Sequence, residues 1–285
     1  MKVETFDSRQ CLLGEGPLWH PLRQQLYWFD ILGRCLRSKT GDHLQEWTFG
    51  EHVSAGGWVD TDRLLIASET RLMLFDLETG ESTHCEALES ETPATRSNDG
   101  CADPHGGFWI STMGKAAEAG LGAIYRYFDG QVKRLFSDLT IPNAICFAKD
   151  GRTAYFTDSP SRKIFAQDLD QTGWPVGQPR ILIDLSSQKG LPDGATVDAT
   201  GHLWVAMWGS ASVLRISPDG IAGERVSYPA SQVTCPAFGG ADMRTLFVTS
   251  ASEGTKKRDM ADGQVFAAPA SVSGLTDPSV RISGF

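Results

Sequence analysis

The chain has 285 residues, 41% of them hydrophobic and 21% charged, a composition that is ordinary for a globular protein with a sizeable core. Its 35 acidic and 26 basic residues give a formal net charge of −9, which argues against nucleic acid or an anionic membrane as a partner. No run of 18 apolar residues occurs, so the sequence predicts no membrane-spanning segment. Residues 1–7 carry no apolar signal region, and we expect a cytoplasmic protein.

A pattern of a turn followed by a short aromatic or β-branched strand occurs six times along the chain. Its segments are residues 25–30, 63–68, 107–112, 153–158, 202–207 and 245–250. Their second residues lie 38 to 49 positions apart, a period typical of four-stranded propeller blades. We therefore predict an all-β fold, a six-bladed β-propeller of four-stranded antiparallel blades, in a single domain over residues 1–285. A β-sandwich with extra strands fits six even repeats poorly.

Both ends of the chain are expected to contribute to the last blade. Residues 264–269 (QVFAAP) read as a late strand of blade 6, and residues 2–11 alternate in a way that suits an added outer strand. Pairing of these two segments would close the ring and remove exposed sheet edges. The six cysteines include no Cys-x-x-Cys pair, and we expect reduced thiols that act as small core residues.

Oxygen-bearing side chains recur at one position of the repeat. Glu15, Asn98, Asn143 and Asp193 each lie 10 or 11 residues before the second residue of a repeat segment. The first strand of a propeller blade is the one nearest the axis, so equal offsets place these four side chains at one height around the mouth of the channel. In blades 2 and 6 the same offset gives Val53 or Ser54, and Cys235 or Pro236.

Two carboxylates and two amide oxygens that converge on an axis need a counter-charge, because a buried carboxylate is costly unless it is paired. No lysine lies at these offsets, and Arg96 is the one adjacent arginine. One divalent cation is the natural partner: all-oxygen ligation suits Ca²⁺, Mg²⁺ or Mn²⁺, and Zn²⁺ is possible when supplied in excess. The alternative, that these Asp-Gly and Asn-Asp-Gly sequences are only turns, remains open at this point.

Several of these stretches together resemble the SMP-30/gluconolactonase/regucalcin family. They are residues 14–17 (GEGP), 96–100 (RSNDG), 112–113 (TM), 141–143 (IPN), 191–194 (LPDG) and 203–206 (LWVA). The resemblance implies a six-bladed propeller that binds one divalent metal and hydrolyses sugar lactones. It further implies that Glu15, Asn143 and Asp193 are the metal ligands, and that Arg96 and Asn98 contact the substrate.

The sequence departs from the family pattern in one loop. Animal members carry a glutamate three residues after the Thr-Met pair, where this chain has Ala116, with Lys115 before it and Glu118 after it. The departure falls on the substrate side of the expected site and bears on which sugar is accepted. Trp208, which follows the blade 5 segment, is a candidate to line the same pocket.

These observations favour a carboxylic-ester hydrolase that converts an aldonolactone to the aldonic acid in sugar catabolism, with a small-molecule sugar lactone as its partner. The ion would act as a Lewis acid toward the lactone carbonyl. Asp193 is the candidate to accept a proton from the attacking water, and Arg96 and Asn98 would hold sugar hydroxyls or developing charge. The motifs leave the sugar, the ring size, the metal and the oligomeric state open.

Two other functions are compatible with the pattern. A phosphotriesterase-like or paraoxonase-like hydrolase uses a similar carboxylate and amide site on a propeller, and a wide apolar pocket mouth would favour it. A calcium-binding or scaffolding propeller without enzymatic activity needs no cluster of oxygen ligands on the axis, so the four aligned residues count against it.

Overall fold

The computed structural model of the protein describes residues 1–255 and 261–283. Within these residues, 24 strands form six four-stranded antiparallel sheets arranged as the blades of a ring, with one turn of 3₁₀ helix at Ser159–Ser161. The predicted six-bladed propeller is confirmed. None of the helical structure in this part of the chain has the length and apolar character needed to cross a bilayer.

The blades follow one another in chain order. Blade 1 contains β2 (Gly14–His20), β3 (Gln25–Asp30), β4 (Cys35–Thr40) and β5 (His43–Thr48), and blade 2 contains β6 (Val53–Trp58), β7 (Arg63–Ser68), β8 (Arg71–Asp76) and β9 (Ser82–Ala87). Blade 3 contains β10 (Thr95–Ala102), β11 (Phe108–Gly114), β12 (Gly122–Phe128) and β13 (Gln131–Leu139), and blade 4 contains β14 (Pro142–Phe147), β15 (Thr153–Asp158), β16 (Lys163–Asp168) and β17 (Arg180–Asp184). Blade 5 contains β18 (Leu191–Val197), β19 (Leu203–Trp208), β20 (Ser212–Ile216) and β21 (Ala222–Ser227), and blade 6 contains β22 (Val233–Gly239), β23 (Thr245–Ser250), β24 (Val265–Pro269) and β1 (Glu4–Asp7).

The first strand of each blade lines the axis. Each of these six strands contacts the first strand of the next blade, in the order β2, β6, β10, β14, β18, β22 and back to β2. The six repeat segments seen in the sequence are the second strands, whose residues are almost all buried because each blade packs between two others. One apolar cluster fills each of the six junctions between neighbouring blades.

The N-terminal strand closes the ring, as the sequence predicts. Strand β1 pairs antiparallel with β24, Glu4 opposite Ala267 and Thr5 opposite Phe266. Phe6 then packs edge-on against Phe247 of blade 6, at a centroid distance of 4.9 Å, and against Trp28 of blade 1, at 6.3 Å. The closing strand therefore joins the last blade to the first by packing as well as by hydrogen bonds.

The C-terminal residues cross the end of the channel at which the axial strands finish. The amide of Gly274 donates to the carbonyl of Met243 at 2.8 Å, and the amide of Val280 donates to the carbonyl of Trp58 at 2.8 Å. Trp58 is the last residue of β6. Among the described residues, those from 270 to 283 do not line the opposite end, where the axial strands begin.

We expect Phe6→Ala to lower the free energy of unfolding by about 1–3 kcal/mol, because it removes the partly buried ring that links blades 6 and 1. Urea denaturation followed by tryptophan fluorescence measures the change. Leu44→Ala is the control, since Leu44 is 48% exposed on an outer strand and its removal is expected to cost no more than about 0.5 kcal/mol. Equal effects of the two substitutions would contradict a closing role for Phe6.

Candidate functional site

A β-bulge interrupts each axial strand near its start. The register shifts between Glu15 and Leu18 in β2, and between Asn143 and Cys146 in β14, with equivalent shifts in the other four axial strands. Gly16 and Ala144 take positive φ values of 51° and 56° at these bulges. A bulge puts two residues opposite one and changes the direction of a side chain, so the strand continues in the sheet while its polar residue faces the channel.

The five residues singled out in the sequence line one cavity at this end of the channel. The cavity has a volume of about 290 Å³ and is lined by Glu15, Arg96, Asn98, Asn143 and Asp193, together with apolar and loop residues. Each of the five is buried, with 4 to 8% of its surface exposed. The structure therefore brings together side chains from blades 1, 3, 4 and 5, as the equal offsets predict.

A chain of hydrogen bonds connects four of these side chains. Nη1 of Arg96 donates to Oδ1 of Asn98 at 2.9 Å, and Nδ2 of Asn98 donates to Oδ1 of Asn143 at 2.7 Å. Nδ2 of Asn143 then donates to Oδ1 of Asp193 at 2.7 Å. Glu15 is separate from this chain: its Oε2 accepts a hydrogen bond from the amide of Gly16 at 3.2 Å. The amide of Asn143 is thus held in one orientation beside the Asp193 carboxylate.

Burial dominates the electrostatics of the site. It raises the pKa of Glu15 to about 8, and the neighbouring charge of Asp99 adds to the effect. Burial also raises the pKa of Asp193 well above its ordinary range, with Glu15 and Asp99 as further causes. Asp99, one residue after Asn98, has a pKa raised by burial to about 6. Three carboxyl groups therefore lie close enough to oppose one another's ionisation.

These residues fit a hard divalent cation. Among the residues that the structure describes, neither Glu15 nor Asp193 forms an ion pair with a lysine, arginine or histidine. The same part of the chain holds no group of three or more His, Cys, Asp and Glu side chains with the spacing of a metal site, so the donor set here consists of two carboxylates supplemented by amide oxygens. Oxygen donors of this kind suit Ca²⁺, Mg²⁺ or Mn²⁺, and a cation would relieve the repulsion between the carboxylates.

Sequence reasoning missed several residues of the cavity. Oγ of Ser159 accepts from Nδ2 of Asn143 at 3.1 Å and donates to the carbonyl of Pro192 at 2.7 Å, which fixes Asn143 further. Glu253 also lines the cavity, as does Met113 of the Thr-Met pair noted in the sequence. Ser159 and Glu253 lie one and three residues beyond the second strand of their blades, so a search after each repeat segment, as well as before it, would have found them. Trp208 lines the cavity as anticipated.

The loop that departs from the family pattern forms one wall. Lys115, Ala116 and Ala117 line the cavity. Nζ of Lys115 binds the carboxylate of Glu69 and donates to the carbonyl of Pro93 at 2.8 Å. The amide of Ala116 donates to Oε2 of Glu118 at 3.1 Å, so the nearby glutamate stabilises the loop's own backbone.

Comparison with known proteins decides the family. A sequence profile described as "SMP-30/Gluconolactonase/LRE-like region" matches residues 13–252. The chain belongs to this family. A Rhizobium meliloti protein provisionally named a sugar lactone lactonase is 41% identical over 98% of this chain and 97% of its own. The L-arabinolactonase of Azospirillum brasilense is 37% identical over 98% and 94%, respectively.

A solved structure of another family member has the same architecture. It is described as a calcium-binding protein, regucalcin, from Agrobacterium tumefaciens, and is 39% identical to this chain. The alignment covers 98% of this chain and 97% of that one, with a TM-score of 0.95. The two family members therefore share the propeller fold over nearly their whole length.

We expect the burial of Asp99 to make the stability of the metal-free protein depend on pH. The pKa of Asp99 is about 6 when folded against an ordinary value of 3.8, so between these values the unfolded chain releases a proton that the folded protein keeps. The contribution of Asp99 to the free energy of unfolding therefore falls as pH rises through this range, by roughly 3 kcal/mol in total. We expect Asp99→Asn to remove most of this loss, because an amide oxygen can still accept from the amide of Ile145.

Urea midpoints measured with EDTA at pH 5, 6, 7 and 8 check this expectation. The control is Asp219→Asn, which removes one carboxylate from an exposed turn. Parallel curves for the wild type and Asp99→Asn would contradict the assignment.

Proposed function

We propose that the protein is a metal-dependent lactonase that hydrolyses an aldonolactone to the aldonic acid in sugar catabolism. The observation that carries the proposal is the buried arrangement at the channel mouth, in which the Arg96-Asn98-Asn143-Asp193 chain faces Glu15. The relatives named as lactonases support a carboxylic-ester hydrolase. A cavity of about 290 Å³ is of the size that a single small sugar occupies.

We propose Glu15, Asn143 and Asp193 as the residues that hold one divalent ion, Ca²⁺, Mg²⁺, Mn²⁺ or Zn²⁺. Their donors are one fixed amide and two buried carboxylates, and neither carboxylate is in ion-pair contact with a lysine, arginine or histidine of the described residues. The neighbour described as a calcium-binding protein supports a divalent ion. When bound, the ion supplies Lewis-acid polarisation of the lactone carbonyl.

In this proposal Asp193 is the general base. The oxygen of a water molecule forms a bond to the carbonyl carbon while the Asp193 carboxylate accepts the water proton. The bond between that carbon and the ring oxygen then breaks, and the proton held by Asp193 passes to the ring oxygen, which leaves as a hydroxyl. The hydrogen bond from Asn143 at 2.7 Å keeps the carboxylate in one orientation through both transfers.

Arg96 and Asn98 are proposed to hold the substrate. One guanidinium nitrogen, Nη1, is occupied by the carbonyl of Ser97 and by Asn98. Within the described residues the other two guanidinium nitrogens of Arg96 have no acceptor, and Arg96 lines the cavity. Those N–H groups are available to sugar hydroxyls or to the negative charge that develops on the carbonyl oxygen.

A panel of aldonolactones tests the function. EDTA-treated protein is assayed with and without Ca²⁺, Mg²⁺, Mn²⁺ or Zn²⁺, acid release is followed with a pH indicator, and the uncatalysed rate is subtracted. We expect metal-dependent hydrolysis of at least one aldonolactone. The same preparation is also assayed with a phosphotriester, and its metal content is measured by elemental analysis. Hydrolysis of the phosphotriester but of no lactone would favour the paraoxonase-like alternative. Metal binding without hydrolysis of either substrate would favour a calcium-binding propeller.

Asp193→Asn and Glu15→Gln are expected to separate the metal and base roles. Asp193→Asn keeps an oxygen of similar shape but loses the base, so hydrolysis falls by about 10²–10⁴-fold while some metal is retained. Glu15→Gln mainly weakens metal binding, so its activity recovers in part at high metal concentration. One metal titration with paired activity measurements compares them. Full rescue of Asp193→Asn by added metal would show that Asp193 is only a ligand.

Arg96→Ala is expected to raise KM or lower kcat for the lactone while the metal content of the protein is unchanged. Steady-state kinetics and elemental analysis measure the two effects. Arg180→Ala is the control, since the Arg180 side chain is 56% exposed in an ion pair on an outer strand. Loss of metal from Arg96→Ala would contradict a role confined to the substrate.

A further inference from the structure

One carboxylate of the cavity is used neither by the hydrogen-bond chain nor by the proposed metal ligands. Glu253 lines the cavity and follows β23 in blade 6. Its amide donates to the carbonyl of Leu12 at 3.0 Å, and its carbonyl accepts from Nε2 of Gln232 at 2.8 Å. The backbone is therefore anchored on both sides, which sets where the side chain can reach.

Among residues 1–255 and 261–283, the Glu253 carboxylate has no hydrogen-bond or ion-pair partner. The side chain is partly buried. Burial raises the pKa of the Glu253 carboxyl, and the positive charge of Arg96 opposes that effect. Arg96 comes from blade 3, on the far side of the ring from blade 6.

The other cation of the wall is already paired. Lys115 reaches the cavity with its stem, but its ammonium group binds Glu69, whose second oxygen accepts from Nδ1 of His52 at 2.7 Å. Ala116 and Ala117 beside it offer no charged side chain. In the proposed function the free N–H groups of Arg96 are taken by the lactone, and Lys115 is held in its ion pair. An anionic group beside Glu253 therefore meets a carboxylate that has no cationic partner within the described residues.

We propose that Glu253 is a specificity-determining residue that selects lactones with uncharged, hydroxylated side chains. This inference rests on the proposed function, with the lactone carbonyl directed toward Asp193 and the exocyclic chain directed toward Glu253. The carboxylate accepts hydrogen bonds from the exocyclic hydroxyls of a neutral aldonolactone. A carboxylate, sulfonate or phosphate at the same place brings two like charges together in a partly desolvated cavity.

Two lactones that differ in one terminal group, neutral in one and negatively charged in the other, test the proposal. The parent is the aldono-1,4-lactone with the highest kcat/KM in the panel, and its partner has the terminal CH₂OH replaced by a carboxylate, as in D-galactono-1,4-lactone and D-galactaro-1,4-lactone. We expect the wild type to prefer the neutral lactone by at least about tenfold in kcat/KM, an effect of the size that one unfavourable charge pair produces near a protein surface.

Substitutions at one position then assign the preference. Glu253→Gln is expected to reduce the preference about tenfold, chiefly through a lower KM for the charged lactone, and Glu253→Arg is expected to reverse it. Glu224→Gln is the matched control, since it removes the same charge from an exposed residue of outer strand β21, and it should leave the preference unchanged. Elemental analysis should give the same metal content for all four proteins.

The outcomes distinguish this inference from the function on which it rests. If the wild type hydrolyses no lactone of the panel, the proposed function fails. If it hydrolyses the neutral and charged lactones equally well, or if Glu253→Gln and Glu253→Arg both keep the wild-type preference, the lactonase stands and the specificity role of Glu253 is overturned. Loss of metal from Glu253→Gln would also overturn it, because Glu253 would then support the metal residues.

Discussion

Three carboxyl groups lie close together near the channel axis, and their mutual repulsion is the constraint that the rest of the site accommodates. Glu15, Asp99 and Asp193 are buried within reach of one another's fields, and burial raises the pKa of each. A fold built for stability alone would place apolar residues here, since replacing buried ionic groups by apolar ones is often neutral or stabilising. The surrounding polar groups are arranged to tolerate these carboxyls, which is the pattern of a site whose chemistry requires them.

The amide side chains meet that constraint in a way that charged groups would not. Asn98 and Asn143 each donate and accept, so they transmit orientation from Arg96 to Asp193 across three blades without adding charge. Arg96 is the last member of this series of hydrogen bonds, and its guanidinium places a positive charge near the carboxylates. Burial lowers the pKa of Arg96. The bulges in the axial strands set the direction in which the site side chains point. In a regular strand successive side chains alternate between the two faces of the blade, and a bulge turns one of them toward the channel instead.

The fold was readable from the sequence because its most buried strands are also its most repetitive. Segments such as Gln25–Asp30 and Thr153–Asp158 carry aromatic and β-branched residues at a steady period, since each packs between two other blades. The outer strands are different: Ser82–Ala87 and Ala222–Ser227 are largely exposed and polar, so their pattern resembles that of a loop. Their existence follows from the blade period and not from their own residues.

The candidate site was most readable where it follows the repeat. Glu15 and Asn143 share an offset from their second strands, and in the structure each is the second residue of its axial strand. Lys115 was noticed only through the resemblance to the family, and Glu253 lies three residues after its repeat segment, where only a search beyond that segment finds it. The bulges were also hidden, since the glycine or alanine that follows Glu15, Asn143 and Asp193 reads equally well as part of an ordinary turn.

Closure of the ring by β1 also dictates when the two proposed carboxylate ligands can meet. Glu15 lies on blade 1 and Asp193 on blade 5, and the blade between them is completed only when residues 4–7 pair with 265–267. During synthesis the N-terminal strand must therefore wait for nearly the whole chain to emerge, a separation that makes this pairing slow compared with the local hairpins. We expect the blades to form in order while the like charges stay apart, so that the channel mouth with the proposed ion ligands is the last part of the molecule to assemble.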